Sequence, residues 1–120
     1  MQSSSLVELE SSVQGTAHVV AVRGEIDLSS IDAVRRAVDV ALSQRPETVV
    51  VDLSRIAFCD SSGIELVVKT HRRAIGQGTR LVVVRPNGPA WRPFELCQID
   101  REVHFVTSSD EVSSGAATPL

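Results

Sequence analysis

Val49-Val50-Val51-Asp52-Leu53, a short linker to Phe58, and Asp60-Ser61-Ser62-Gly63 opening an amphipathic stretch through Ile75 form the segment on which the fold turns. Three consecutive β-branched residues between polar flanks read as a strand buried on both faces, the pattern of a parallel sheet. Ile64, Val67, Val68, His71, Ala74 and Ile75 recur at three and four residues, as on one face of a helix, and Gly76 stands where a left-handed cap would close it. Two serines therefore fall at a helix start, where unpaired amides and the positive end of the dipole allow a hydroxyl to become a phosphate and be held.

Working outward, Ile31, Val34, Ala37, Val38, Ala41 and Leu42 predict a preceding helix, capped by Ser29 or Ser30 and ended by Pro46. On its outer face Asp32 with Arg36, and Arg35 with Asp39, stand at pairing distance. Upstream, Leu6, Val7 and Leu9 and then Val19 to Val22 read as two strands joined by a turn at Gln14-Gly15, an antiparallel hairpin at the sheet edge. Downstream, Thr79 to Val84 is another apolar strand stopped by Pro86-Asn87-Gly88, and Val103, Phe105 and Val106 supply a last one. Between them Pro89 to Cys97 predicts a third helix, kinked at Pro93 or starting only there. Strands separated by helices make this an α/β fold, a mostly parallel sheet with right-handed crossovers, an antiparallel N-terminal edge strand and three to four helices. The folded unit is expected over residues 6–106, with the Ser-, Thr-, Gly- and Ala-rich segments 1–5 and 107–120 as a disordered leader and tail.

Composition narrows the function. A chain of 120 residues suits one domain that buries roughly two-thirds of its unfolded surface. With aromatics at 3% and no Tyr, the core is built from Val, Leu, Ile and Ala, and base-stacking platforms are not expected. A net charge of -3 gives no general attraction to nucleic acid. No apolar run approaches the ~20 residues that span a bilayer, so a soluble cytoplasmic protein without membrane contact is the default. Cys59 and Cys97 lack the spacing of a metal site or a disulfide framework and read as small buried hydrophobes, so neither a metal nor a cofactor is expected.

At the helix start, Ser62 stands three residues before Glu65, the spacing of a capping box, so Ser62 reads as structural and Ser61 as the hydroxyl facing solvent. Gly63 leaves space for a close approach. Asp52 ends the valine run and reads as a bonding partner of nearby backbone amides. Phosphate on Ser61 would add about -1.5 to -2 charge beside Asp60, enough to expel a partner matched to the neutral hydroxyl.

Three stretches, Val22-Arg23-Gly24-Glu25-Ile26-Asp27, Val49-Val50-Val51-Asp52-Leu53-Ser54 and Phe58-Cys59-Asp60-Ser61-Ser62-Gly63-Ile64, together resemble the STAS domain family, specifically the bacterial anti-sigma factor antagonists. The resemblance implies a single STAS domain acting as a switch. Unphosphorylated, it binds an anti-sigma factor that is itself a serine kinase and so frees a sigma factor; phosphorylation of Ser61 breaks the complex until a phosphatase restores it. It further implies a partner surface of Gly24, Glu25, Asp27, Asp60, Ser61, Ser62, Gly63 and Ile64, since parallel strands bring both turns to one edge of the sheet. Asp27 and Asp60 would form an acidic rim attracting a basic kinase surface. Cys59 before Asp60, and Trp91-Arg92-Pro93 within the third helix, depart from the family pattern.

The competing readings are weaker. An enzyme is not expected, because there is no Gly-x-Ser-x-Gly elbow and His18, His71 and His104 fall on separate elements. A phosphoaspartate receiver built on Asp52 would need a lysine after the last strand, where Phe105-Val106 runs into Thr107-Ser108. The alternatives kept open are an unphosphorylated STAS scaffold in a larger assembly and a weak nucleotide-binding module. The lack of a large apolar surface stripe suggests a monomer.

Overall fold

The computed structural model describes residues 7–108. Two strands open the chain, β1 (Val7–Gln14) and β2 (Ala17–Ile26), followed by α1 (Ile31–Ser43), β3 (Thr48–Cys59), α2 (Ser61–Gln77), β4 (Arg80–Val84), α3 (Arg92–Leu96) and β5 (Phe105–Val106). The five strands lie in the order β1-β2-β3-β4-β5, with β1 antiparallel to β2 and every other pair parallel. This is the α/β architecture expected, with three α-helices. Leu6 lies outside the described residues.

The valine run makes β3 the centre of the sheet. Val49, Val50 and Val51 pair with β2 on one side and β4 on the other and are buried on both faces. On one face Val20, Val22, Val49, Val51 and Val83 meet Val34, Val38 and Leu42 of α1, Leu66 and Val67 of α2, and Trp91 and Phe94. On the other face Val50, Val82, Val84 and Val106 make a smaller cluster with Ala17 and Val19 against it. Trp91, Phe94 and Phe105 pack ring to ring with centroids 5.0–5.8 Å apart, and the Arg85 guanidinium lies 4.6 Å from the Trp91 ring centroid.

The helices differ from expectation in register. The inward face of α2 is Gly63, Leu66, Val67, Thr70 and Ala74, while Ile64, Val68 and His71 lie half-buried beside it and Ile75 is exposed. The expected face left out Gly63, Leu66 and Thr70, and so the stripe was turned. The helix also runs past Gly76 and closes on Gly78, whose φ of 77° is left-handed and whose N–H donates to the carbonyls of Ala74 and Ile75. Gln77 anchors that last turn by donating from Nε2 to the Leu42 carbonyl at 2.8 Å. On α1 the pairs also change. Asp32 bonds Arg35, and Asp39 accepts from Arg73 of α2 at 2.7 Å, because the two helices lie side by side. The third helix begins at Arg92 after a 3₁₀ turn, Gly88–Ala90, so Pro93 falls in the first turn, where its missing N–H costs nothing. Cys97 caps this helix and is exposed, unlike the buried Cys59. Val103 is buried but precedes β5.

β3 is longer than its valine run suggests. The expected linker before Phe58 is strand, paired to β2 as far as Ile26↔Cys59, with register shifts beside Ala21/Arg23 and Gly24/Glu25. Each shift adds one residue to β3. Buried positions beyond Val51 therefore come at Leu53, Ile56 and Cys59, every third residue instead of every second, which hides the strand from a period-two reading. Asp52 sits at the first shift, where its Oδ1 accepts from the Ser54 N–H at 2.9 Å and the Ser54 hydroxyl at 2.7 Å. The carboxylate thus holds a bulge in shape, the structural role expected of it.

Candidate functional site

The parallel register sets two loops side by side. Glu25 pairs with Phe58 and Ile26 with Cys59, and the Asp60 N–H donates to the Ile26 carbonyl at 3.1 Å. The chain leaves β2 through Asp27-Leu28-Ser29 into α1, and leaves β3 through Asp60-Ser61-Ser62 into α2. Gly24, Glu25 and Ile26 belong to β2 itself, so the turn begins at Asp27, later than the expected turn at Gly24. Gly24 adopts a φ of 110° beside the second register shift, a conformation that L side chains rarely take.

Both loops are locked by the same device. Asp60 is the N-cap of α2: its Oδ1 accepts from the Ser62 N–H at 2.9 Å and from the Ser62 hydroxyl at 2.5 Å. Asp27 Oδ1 accepts from the Ser29 N–H at 2.9 Å and the Ser29 hydroxyl at 2.7 Å. The Ser29 hydroxyl holds the Asp27 carboxyl below its ordinary value; burial, the next largest effect, opposes it, and the amides of Ser29 and Ser30 add to the lowering. Ser30, buried at the start of α1, does not cap the helix by its side chain. Its hydroxyl donates to the Glu25 carbonyl at 2.8 Å and accepts from the Asp27 N–H at 3.0 Å, tying the loop back onto β2.

The capping box between Ser62 and Glu65 is not formed. Asp60 supplies the cap two residues earlier, its carboxylate already holding the Ser62 hydroxyl, and Glu65 instead stands 3.6 Å from Lys69. The cap's contribution of about 1 kcal/mol therefore belongs to Asp60, and Ser62→Ala does not remove it. Ser61, the first residue of α2, is exposed, and its hydroxyl has no hydrogen-bond partner among the described residues. Gly63 is buried. The approach it permits is that of α2 onto the sheet: a Cβ there would stand 2.3 Å from Cys59 Sγ and 3.0 Å from Ile26 Cγ2. Ile64 packs against the core at the same junction.

Cys59 lies under this helix start. Burial, aided by the negative charge of Asp60, pushes its thiol up to about 12, and Sγ donates to the Asp60 carbonyl at 3.4 Å. It is a packed, neutral thiol. Two exposed apolar side chains that sequence reasoning passed over lie at the same edge of the sheet as Ser61: Leu28, 81% exposed in the Asp27 loop, and Phe58, 48% exposed and paired with Glu25. For Leu28 the available signal was an apolar residue inside a strand-to-helix loop, where local structure gives it nothing to pack against.

A STAS domain model matches residues 8–112. The chain belongs to the STAS domain family. RsfB of Mycobacterium tuberculosis, an anti-sigma-F factor antagonist, is 28% identical over 97 residues, 81% of this chain and 79% of that protein. The anti-sigma F factor antagonist of Paenibacillus polymyxa is 28% identical over 103 residues, 79% of this chain and 88% of that one. The crystal structure of an anti-sigma factor antagonist from Mycobacterium paratuberculosis superposes with a TM-score of 0.85 at 26% identity, covering 93% of this chain and 95% of that one. Homologues over most of this STAS chain are thus anti-sigma factor antagonists, which are regulatory proteins and not enzymes. Among the described residues no helix is long and apolar enough to cross a membrane, and no group of three or more His, Cys, Asp or Glu is placed to hold a metal ion.

Proposed function

We propose that this STAS domain is itself an anti-sigma factor antagonist switched by phosphorylation of Ser61. Unphosphorylated and monomeric, it binds an anti-sigma factor with serine kinase activity and so releases a sigma factor in the cytoplasm; the same kinase modifies Ser61, and a phosphatase reverses the step. Exposed Glu25 and Ser61, with half-buried Asp27 and Asp60, form the contact surface at the two loops. Gly24 and Ser62 shape it, while Gly63 and Ile64 seat the helix beneath it.

One observation carries this reading. Of the two serines at the helix start, Ser62 is bonded through both its N–H and its hydroxyl to Asp60, whereas Ser61 presents to solvent a hydroxyl that has no partner among the described residues. A kinase can therefore reach Ser61 without dismantling the cap, and the dipole of a 17-residue helix offsets part of the charge that arrives.

The test is intact-mass spectrometry after incubation with ATP and each anti-sigma factor kinase of the source organism, followed by peptide mapping. A single phosphate on Ser61, absent in Ser61→Ala, is the expected result. Stable complexes without modification by any kinase would replace the switch with a constitutive scaffold.

A further inference from the structure

Among the described residues Leu28 is the most exposed of the large apolar side chains at 81%, ahead of Val13, Leu96, Ile75, Val40 and Phe58. A lone surface leucine needs no explanation. This one differs in its mounting. The loop that carries it is fixed by Ser29 on the Asp27 carboxylate, by Ser30 Oγ between the Glu25 carbonyl and the Asp27 N–H, and by the Ser30 and Ile31 N–H groups donating to the Asp27 carbonyl at 3.1 and 2.9 Å. An apolar side chain is thus held in water on a rigid backbone, at the centre of an Asp-x-Ser turn that duplicates the turn carrying Ser61.

The two turns are also in register. Leu28 lies two residues past Ile26 and Ser61 two past Cys59, and Ile26 and Cys59 are paired across β2 and β3. Phe58 and Glu25 pair one step before. The edge therefore offers two exposed apolar side chains, a neutral hydroxyl and the carboxylates of Glu25, Asp27 and Asp60.

We infer that Leu28 is the apolar anchor of the partner interface at Ser61, inserted into a hydrophobic pocket of the anti-sigma factor that basic side chains surround. The inference rests on the reading of Ser61 as the switch and names what the unphosphorylated form is recognised by. A preorganised side chain enters such a pocket with little loop ordering left to oppose binding, so a large part of its burial is returned as affinity. Basic groups on the partner complement the three carboxylates, and a phosphate arriving beside the anchor meets a dehydrated pocket rim matched to a hydroxyl. Leu28 acts in selectivity, through pocket shape, while Ser61 acts in control.

The probe is the anti-sigma factor kinase that phosphorylates Ser61, titrated with ADP against the full chain by calorimetry. Leu28→Ala is expected to weaken binding by about ten- to a hundredfold. The factor should be the same at low and high salt, as an apolar contact requires. Leu28→Met, which keeps the volume, should stay within about threefold of the parent. Val13→Ala, at the hairpin end of the sheet, should bind as the parent does, and all three variants should melt as the parent does. A Leu28→Ala variant that binds within about twofold of the parent while Ser61 is still phosphorylated overturns the anchor and leaves the switch standing. A lowered melting temperature, or a loss that shrinks with salt, likewise overturns it. If no kinase modifies Ser61, the switch fails first and the anchor with it.

Discussion

Ser61→Asp is expected to fold as the parent does and to lose most of its affinity for the anti-sigma factor, whereas Ser61→Ala keeps that affinity and cannot be phosphorylated. The charge enters at the first residue of α2, where the helix dipole favours an anion, but it stands next to Asp60, whose carboxylate is committed to Ser62 and does not turn away. For the isolated protein these effects oppose each other, and exposure to solvent screens what remains. In the complex the same charge is dehydrated against a surface matched to a hydroxyl, which costs several kcal/mol, roughly a hundredfold or more in Kd. Calorimetric titration and thermal melts of the two variants check this: equal melting temperatures with widely separated affinities are the expected pair. Equal affinities would mean that Ser61 lies outside the contact surface.

Gly63→Ala is expected to destabilise the fold by about 1–3 kcal/mol, the usual cost of overpacking. Alanine is the better helix former by about 1 kcal/mol, so propensity alone predicts the opposite sign. Packing decides it. The new methyl would stand 2.3 Å from Cys59 Sγ, and Cys59 is 3% exposed, so the sulphur would have to move into space already filled. The sign should reverse in a second background. Cys59→Ala removes the sulphur, and adding Gly63→Ala then fills the vacancy and recovers the helix propensity, leaving only the 3.0 Å approach to Ile26 Cγ2. Denaturant melts of the four proteins measure the coupling. Additive effects would show that the thiol and the glycine do not share one contact. The exchange would also shift the start of α2, so kinase activity on Ser61 should fall with stability in the single variant and recover in the double.

Much of this was visible in the residues alone. The valine run placed the central strand, the 3.6-residue period placed α1 and α2, and the pairing of parallel strands brought Asp27 and Asp60 to one edge. What escaped has physical causes. Leu53, Ile56 and Cys59 face inward at a spacing of three because bulges interrupt β3, and a bulge leaves no composition signal. The N-cap of α2 went to Asp60 in place of Ser62 because Asp60 captures both the amide and the hydroxyl of Ser62, a competition that depends on where the chain leaves β3. Asp39 found Arg73 from 34 residues away, beyond the reach of any local pairing rule. Leu28 was passed over because apolar residues are read first as core.

The uneven length of the strands has a consequence for how the protein opens. β3 has 12 residues and β4 only 5, and the last pair between them is Asp52↔Val84. From Leu53 onward β3 is paired to β2 alone, and β2 is paired to β1 only as far as Val7↔Gly24, so the loop carrying Ser61 stands at the end of a narrowing ribbon that overhangs β4 and β5. Backbone amides of Val49 to Val51, held between two neighbours, should exchange with deuterium only when the whole domain unfolds, while those of Arg55 to Cys59 should exchange through a smaller, local opening. Phosphorylation or a bound partner can then be recorded as a change in ribbon fraying that leaves the valine strand untouched. On that expectation the fold and the proposed signal would lie in separately melting parts of one sheet.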